Sequence, residues 1–584
     1  MCGIAGFMAL DGKPVAEGTA GSLAQALGHR GPDGQGSHVN GDVVLVHTRL
    51  AIIDLETGDQ PFLAEDGTAL VANGEIYNDP ELRASLPDIR FRSRSDCEPP
   101  LHLYRRAGPD FVSRLRGMYA LALHDVPQGR LILARDPFGI KPLYYAETPA
   151  GFAFASEPQA LLRSGLVEPR LRRDKLGELL QLQFTTGPDS IFDSIRRVLP
   201  GETIVVEKGR VVARRRLDAL PPGVPEEIGE AEALRRFDTI LTDSVGHHQR
   251  ADVPYGMFLS GGIDSSVLLA LMARLNPTPV LAYTAGFSGT AAHDERDHAR
   301  ELARITGARH VEVDFGERDF WTLLPQVAAA LDDPAADYAT LPTFKLAQVA
   351  RQDVKVVLSG EGGDELFGGY GRYRSAIRPW PLARRMRRRG TFDGLDVLRE
   401  APRGWRDGIA AAERAQAETG RSRLQAVQAV DCADWLPNDL LIKLDRCLMA
   451  HGVEGRVPFL DLEVARFAFR LPDRLKLQGK LGKWIVRKWL ETALPEAKPF
   501  SRKRGFTVPV GEWIAARPEL GPLLASQPAI AEICKPGRVE ALCQEAAGKT
   551  GFAAWSLLFY ALWHRHHVEG RPGGGDVFDA LAAR

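Results

Sequence analysis

Residues Ser260-Gly261-Gly262-Ile263-Asp264-Ser265-Ser266 have the make-up of an anion-binding turn. The adjacent glycines let the backbone approach a phosphate closely, and the hydroxyls of Ser260, Ser265 and Ser266 add donors. Asp264 is the odd member. A carboxylate beside phosphates repels them unless a cation lies between, which points to Mg²⁺. A second run, Ser359-Gly360-Glu361-Gly362-Gly363-Asp364-Glu365-Leu366-Phe367-Gly368-Gly369-Tyr370, mixes glycines and carboxylates too densely for an ordinary surface turn. It can set Asp364 opposite Asp264 across a phosphate–cation assembly, with Glu361 near the reacting group. At the other end of the chain, Cys2 follows Met1 directly. Removal of Met1 would leave a thiol beside its own α-amine, a base of pKa about 8. Such a cysteine needs no histidine to become a nucleophile.

These groups need elements to hold them. An apolar run at 253–259, interrupted by Pro254 and Gly256, reads as a buried strand before the first loop, and 267–275 as a helix after it. Strand, loop and helix in that order aim N–H groups and a positive helix end at an anion. Further strands are expected at 279–287, 311–315 and 355–358, with a charge-rich helix at 293–306. That alternation predicts a doubly wound parallel sheet, with ligands at the carboxyl ends of its strands.

The first 200 residues read differently. Short alternating segments at 43–46, 69–72, 120–124, 131–134 and 152–155 predict antiparallel strands. A strand pair at 203–207 and 210–214 is joined by Lys208-Gly209, and 217–229 is a Pro- and Gly-containing linker. A helical pattern opens at Glu230. The expected boundary is near 215, giving domains 2–215 and 230–570.

Composition bounds the class. The chain has 584 residues, 44% of them apolar and 26% charged, which is too long for one core and typical of a soluble protein. With 74 basic and 75 acidic residues, charge points to neither a nucleic-acid nor a membrane partner. The basic run Arg384-Arg385-Met386-Arg387-Arg388-Arg389 reads as a solvated face. No apolar stretch is long enough to span a bilayer. The six cysteines form no Cys-x-x-Cys pair, so a reduced, cytoplasmic enzyme is expected.

The Ser260 loop lacks the Gly-Lys-Ser/Thr of a Walker A motif. It resembles the pyrophosphate loop of enzymes that cleave ATP to AMP and pyrophosphate. The N-terminal part, with Cys2, His29-Arg30-Gly31-Pro32-Asp33-Gly34, Arg49, Asn73-Gly74-Glu75-Ile76-Tyr77-Asn78 and Ser95-Asp96-Cys97-Glu98, resembles the N-terminal-nucleophile glutamine amidotransferase domain. Joined to both glycine runs, to 445–461, and to Gly482-Lys483-Trp484-Ile485-Val486-Arg487, it resembles the glutamine-hydrolysing asparagine synthetase family over roughly residues 2–515.

That resemblance implies an αββα sandwich followed by the parallel α/β domain and a helical C-terminal part. It implies Cys2 as nucleophile, an oxyanion site at Asn73 and Gly74, and glutamine held by Arg49, Asn73, Glu75 and Asp96. ATP would lie on Ser260, Gly261, Gly262, Asp264, Ser265, Ser266, Ser359 and Gly360. Mg²⁺ would sit at Asp264 and Asp364, with Glu361 and Lys483 serving the acyl-adenylate; Lys480 is the nearby rival for the cationic role. Aspartate is the implied acceptor and asparagine the product, and a homodimer is the assembly common in the family. Two departures from the family pattern, Gly455 and Arg504, bear on the acceptor. They leave a uronic acid or a peptide carboxylate as the alternative. A non-catalytic nucleotide-binding relative is the reading from another class.

Overall fold

The structure is a computed structural model describing residues 2–288, 294–379, 381–501, 508–571 and 574–583. Its first unit stacks two antiparallel sheets. One runs in the order Arg196–Arg197, Tyr144–Thr148, Gly151–Ala155, Gly3–Ala9, Val43–Arg49, Gly34–Asn40. The other runs Arg210–Arg216, Glu202–Glu207, Arg130–Arg135, Gly117–Asp125, Ala69–Ile76, Phe62–Leu63. Side chains alternate across each strand. Ile4 and Met8 meet Val71, Ala120 and Leu133 between the sheets, whereas Ala5 and Phe7 face the helix Thr19–Leu27. The helix Pro99–Ala107 covers the outer face of the second sheet through Leu101 and Tyr104. The result is the αββα sandwich expected from the resemblance.

The same alternation aims the chemistry. Cys2 shares the parity of Ile4 and Met8, and Asn73 and Glu75 share that of Ala69 and Val71. Both sets therefore face the space between the sheets.

The second unit is a five-stranded parallel sheet in the order Arg309–Asp314, Leu281–Gly286, Tyr255–Phe258, Val356–Leu358, Glu454–Arg456. Strands are laid down outward from Tyr255–Phe258 first on one side, then on the other. The reversal lies between Tyr255–Phe258 and Val356–Leu358, the position where doubly wound sheets open a crevice at their carboxyl ends. Both glycine-rich loops leave the sheet there. The helix expected at 293–306 is Arg296–Thr306, and residue 293 lies outside the described residues.

Sequence patterning misses three features. The segment 217–229 has no regular structure, yet it is pinned rather than free: Gly223 N–H donates to Thr419 O (2.9 Å) and Glu226 N–H to Arg470 O (2.7 Å). The helix Arg423–Val430 runs into a ten-residue π-helix, Asp431–Leu440, before Leu441–Met449. Pro437 lies inside that wider turn, where its missing N–H would break an α-helix. Finally, the C-terminal helix Lys549–His567 locks onto the segment 331–336: the indole of Trp555 donates to Ala336 O (2.7 Å) and that of Trp563 to Leu331 O (2.8 Å). Among the described residues no helix is long and apolar enough to cross a membrane.

The two units meet through buried ion pairs. Arg197 makes a two-pronged contact with Asp333 (2.7 Å on each prong), and the Tyr144 hydroxyl donates to the same carboxylate (2.8 Å). Arg30 pairs with Asp445 (2.8 and 3.1 Å), and Asp332, held within the second unit by Arg446 (2.8 Å), accepts from the Gln159 N–H of the first (3.0 Å). Arg30 also pairs with Glu157 (2.7 Å). Desolvating these charges is costly, so each depends on keeping its partner.

Replacing Asp333 by Ala leaves the Arg197 guanidinium buried without a counter-charge. The expected cost is about 3–5 kcal/mol, seen as a clear fall in the thermal unfolding midpoint. Pairing Asp333→Leu with Arg197→Met recovers much of it, because no lone charge then remains.

Candidate functional site

The N-terminal site forms where the strand Gly3–Ala9 lies against Val43–Arg49 in the sheet facing Ala69–Ile76. The backbone N–H of Cys2 donates to Asn73 Oδ1 (3.1 Å). Asn73 is fully buried, and its Nδ2 has no hydrogen-bond partner among the described residues. An amide with its oxygen engaged and its N–H₂ unused, beside a thiol, is a ready donor for negative charge on a ligand oxygen. Gly74 has φ +156°, and a Cβ there would lie 2.0 Å from Met118 O, so only glycine fits. Burial pushes the Cys2 thiol up, and the carboxylates of Glu454 and Glu75 add to the shift.

Of the other expected glutamine-binding residues, Asp96 is buried and accepts from Ile76 N–H (2.6 Å). Burial pushes its carboxyl up to about 6, against the pull of that N–H. Glu75 is buried too, and pairs with Arg456 of the second unit (3.0 Å). Arg49 pairs with Asp59 (2.8 Å) and donates to Asp54 O. Asp59 is 81% exposed, so its pairing with Arg49 is one that a ligand carboxylate can replace.

Arg30 had no role in the sequence reading. Its Nε donates to Cys2 O (3.1 Å) while its other nitrogens hold Asp445 and Glu157. The signal available was Arg30 beside Gly31: a Cβ on Gly31 would lie 2.1 Å from the Thr48 carbonyl carbon, a close approach that seats the turn against the Cys2 strand's partner. Glu454 pairs with Arg456 at 2.6 Å.

The second site lies at the crevice. The helix Ile263–Leu275 begins inside the Ser260 loop, which places Asp264 in its first turn, the end that favours negative charge. Gly261 takes φ +68°. The Ser260 and Ser265 hydroxyls lie 3.1 Å apart, and Ser265 donates to Gly262 O (3.1 Å). Ser266 is fully buried with no partner for its Oγ among the described residues. The second loop packs directly on the first: a Cβ on Gly360 would lie 2.9 Å from Asp264 Cβ, and one on Gly363 2.5 Å from Asp264 Oδ1. Ser359 donates its hydroxyl to Glu361, and its N–H to Arg456 O (2.8 Å).

Asp264 and Asp364 close on one ammonium. Lys483, 2% exposed, bonds Asp264 and lies 2.8 Å from Asp364. Burial works against its charge, and the two carboxylates overcome that and raise its pKa. The cation that the sequence demanded beside Asp264 is here supplied by the protein itself. Lys480, by contrast, is exposed. The site also fits Mg²⁺: two hard carboxylates stand over a glycine-lined space, where a Cβ on Gly369 would lie 1.7 Å from Asp364 Oδ1. Mg²⁺ binds through one or two carboxylates, with waters and phosphates completing its shell.

The two departures separate. Gly455 is no pocket residue: a Cβ there would meet Leu444 (3.0 Å) and Leu448 (3.2 Å), so its small size serves helix-on-sheet packing. Arg504 lies outside the described residues.

A family model described as a glutamine amidotransferase domain matches residues 1–216, and one described as asparagine synthase matches 236–565. A putative glutamine-hydrolysing asparagine synthetase of Mycobacterium bovis is 35% identical, covering 97% of this chain and 98% of its own. Asparagine synthetase 1 of Bacillus subtilis is 30% identical over 94% of each chain. Asparagine synthetase B of Escherichia coli is 29% identical over 84% of this chain and 79% of its own.

Lys483→Met removes the ammonium that lies between the Asp264 and Asp364 carboxylates. The variant is expected to melt several degrees below the parent in a chelator, with millimolar Mg²⁺ restoring most of the loss and moving the parent little. An equal response in both proteins would show that Asp264 and Asp364 form no cation site.

Proposed function

The chain belongs to the glutamine-hydrolysing asparagine synthetase family, and we propose that it converts L-aspartate to L-asparagine with ATP and glutamine-derived ammonia. The observation that carries this reading is the position of Arg456. Its guanidinium pairs with Glu75, two residues from Asn73, while its carbonyl receives the N–H of Ser359 in the second glycine loop. One residue braces both sites. Two chemistries joined by an exchanged intermediate need that proximity, because ammonia released into neutral water is protonated and no longer a nucleophile.

In the first half-reaction the Cys2 sulfur attacks the side-chain amide carbon of glutamine. The thiol proton passes to the α-amine and on to the leaving nitrogen, which departs as ammonia. Water then cleaves the thioester to glutamate. Asn73 Nδ2 and the Gly74 N–H stabilise the oxyanion in both steps. Arg49 takes the substrate α-carboxylate in place of Asp59, and Asp96 takes its α-ammonium. Glu75, held by Arg456, lies two residues from Asn73 on the same face of the strand.

In the second half-reaction an aspartate β-carboxylate oxygen attacks the α-phosphorus of ATP and pyrophosphate leaves. Ammonia attacks the acyl carbon of the β-aspartyl-AMP, loses a proton, and expels AMP. The loop 260–266, with Ser359 and Gly360, cradles the phosphates, and Glu361 stands by the reacting carboxylate. Lys483 is a fixed cation for the charge that builds on the α-phosphate. Mg²⁺ at Asp264 and Asp364 would neutralise the pyrophosphate leaving group. The domains are 2–215 and 230–570, one for each half-reaction.

Pyrophosphate release with ATP, Mg²⁺ and glutamine, assayed with aspartate against other carboxylates, tests the reading. Release matched by asparagine formation is expected, and release only with a different carboxylate would replace the substrate while keeping the chemistry. Cys2→Ala should abolish glutamine-dependent synthesis and spare synthesis from ammonium salts. Loss of both would refute two separable sites.

The pH dependence of glutamine binding follows from Asp96. Its carboxyl titrates at about 6 and must be ionised to hold an ammonium. The KM for glutamine is therefore flat above that pH and rises as pH falls through it. Asp96→Asn should raise KM throughout and erase the step.

A further inference from the structure

Asp439 lies in the π-helix Asp431–Leu440, has 0% exposure, and has no hydrogen-bond partner on either carboxylate oxygen among the described residues. A buried carboxylate with its bonding capacity unspent is costly and rare. Burial drives it toward the neutral form, opposed by Lys443, Arg387 and Arg372 and reinforced by Asp337.

A matching cation stands nearby. Arg387 takes φ +43°, a left-handed conformation that turns it out of the basic run 384–389, whose other arginines are exposed. Its guanidinium lies 3.9 Å over the Trp435 ring and 5.2 Å from Phe184. Nε and Nη2 make no hydrogen bond among the described residues. Its approach to Asp431 is long (3.9 Å), and that carboxylate is already held by Arg372 at 2.7 Å. The Trp435 Nε1–H and the buried Tyr373 hydroxyl are also unpartnered among the described residues. The other charges here are committed: Lys443 pairs with Asp337 (2.9 Å) and Arg372 with Asp431.

This cluster adjoins the second glycine loop. The Tyr370 hydroxyl donates to Glu365 (2.6 Å), and the ring of Tyr370 carries Arg372 at 3.7 Å. Lys443, one helical turn beyond Asp439, feels the charge of Glu361 as well as that of Asp439.

A buried acid with no hydrogen bond and a guanidinium with two unbonded nitrogens among the described residues, both near the second glycine loop, complement a zwitterion. We infer that Asp439 and Arg387 bind the α-ammonium and α-carboxylate of an acceptor amino acid, leaving its side-chain carboxylate to the Glu361 loop. The inference rests on the reading of that loop as an adenylating site. Trp435 Nε1–H adds a donor on the carboxylate side. A uronic acid carries no ammonium and would leave Asp439 with nothing to neutralise it, so the cluster selects a free amino acid.

Calorimetric titration of the full chain, with an ATP analogue and Mg²⁺ present, compares L-aspartate with succinate, which lacks the ammonium, and 3-aminopropanoate, which lacks the α-carboxylate. Each deletion is expected to weaken binding to the wild type by about tenfold to a hundredfold, the worth of a charge-assisted hydrogen bond. Asp439→Asn should erase the preference for aspartate over succinate, and Arg387→Gln the preference over 3-aminopropanoate. A merely structural role would weaken all three ligands together. Undiminished discrimination in both variants overturns the assignment. So does a wild type that binds succinate as tightly as aspartate, a result that needs no variant to fold. Pyrophosphate release separates the two readings. Release only with carboxylates lacking an amino group refutes the amino-acid site and keeps adenylation. Discriminating aspartate binding without release from any acceptor keeps the site and refutes adenylation.

Discussion

The ion pair between Arg456 and Glu75 is the contact on which the arrangement of the two sites depends. Arg456 ends the outermost strand of the parallel sheet, is fully buried, and spends its remaining nitrogens on Glu454 and on the carbonyls of His248 and Arg250. A guanidinium so placed cannot lose its charge, and it cannot leave without stranding two carboxylates. The Asn73 strand and the Ser359 loop are thereby held to one geometry. Around it, Arg30–Asp445 and Arg197–Asp333 repeat the device across the junction, with Arg446 holding Asp332 beside them on the second unit. Apolar packing would join the units as firmly. Paired charges also fix their register, because a slip of one residue leaves every charge buried without its partner.

The same economy of charge governs the crevice. Asp264 and Asp364 are brought together by loops whose glycines allow no side chain between them, and repulsion between them is relieved by Lys483. The ammonium thus has two uses that follow from one position. Without ligand it neutralises the carboxylates and keeps the loops in contact. On the proposed function, phosphates and a divalent cation entering here would give the carboxylates another partner and leave the ammonium to the phosphates.

Polar groups left unsatisfied are as informative as those that are paired. Most buried polar atoms in a folded chain find partners. The Asn73 amide nitrogen, the Ser266 hydroxyl, and the Asp439–Arg387 cluster do not, among the described residues, and each lies where a ligand is expected. The first two fall on stretches whose spacing already announces chemistry. Asp439 does not: it sits in Leu436-Pro437-Asn438-Asp439-Leu440, an unremarkable segment in which Pro437 suggests a helix end rather than a π-turn.

By itself the sequence determined the two-part organisation, both sheet classes, the two glycine loops and the cysteine at position 2, because each is written in local pattern: period-2 alternation, strand-to-helix succession, glycines at close approaches. Even the pairing of Glu454 with Arg456 was within reach, being two residues apart on a short strand. Tertiary structure alone decided that Lys483 would bridge Asp264 and Asp364, that Arg30 would tie the Cys2 carbonyl to Asp445, 415 residues beyond Arg30, and that Arg387 would leave a solvated basic run to lie on Trp435. The physical reason is range. Backbone propensity and hydrophobic period act over a few residues, whereas a buried charge is satisfied by whichever partner the folded chain brings within hydrogen-bond distance.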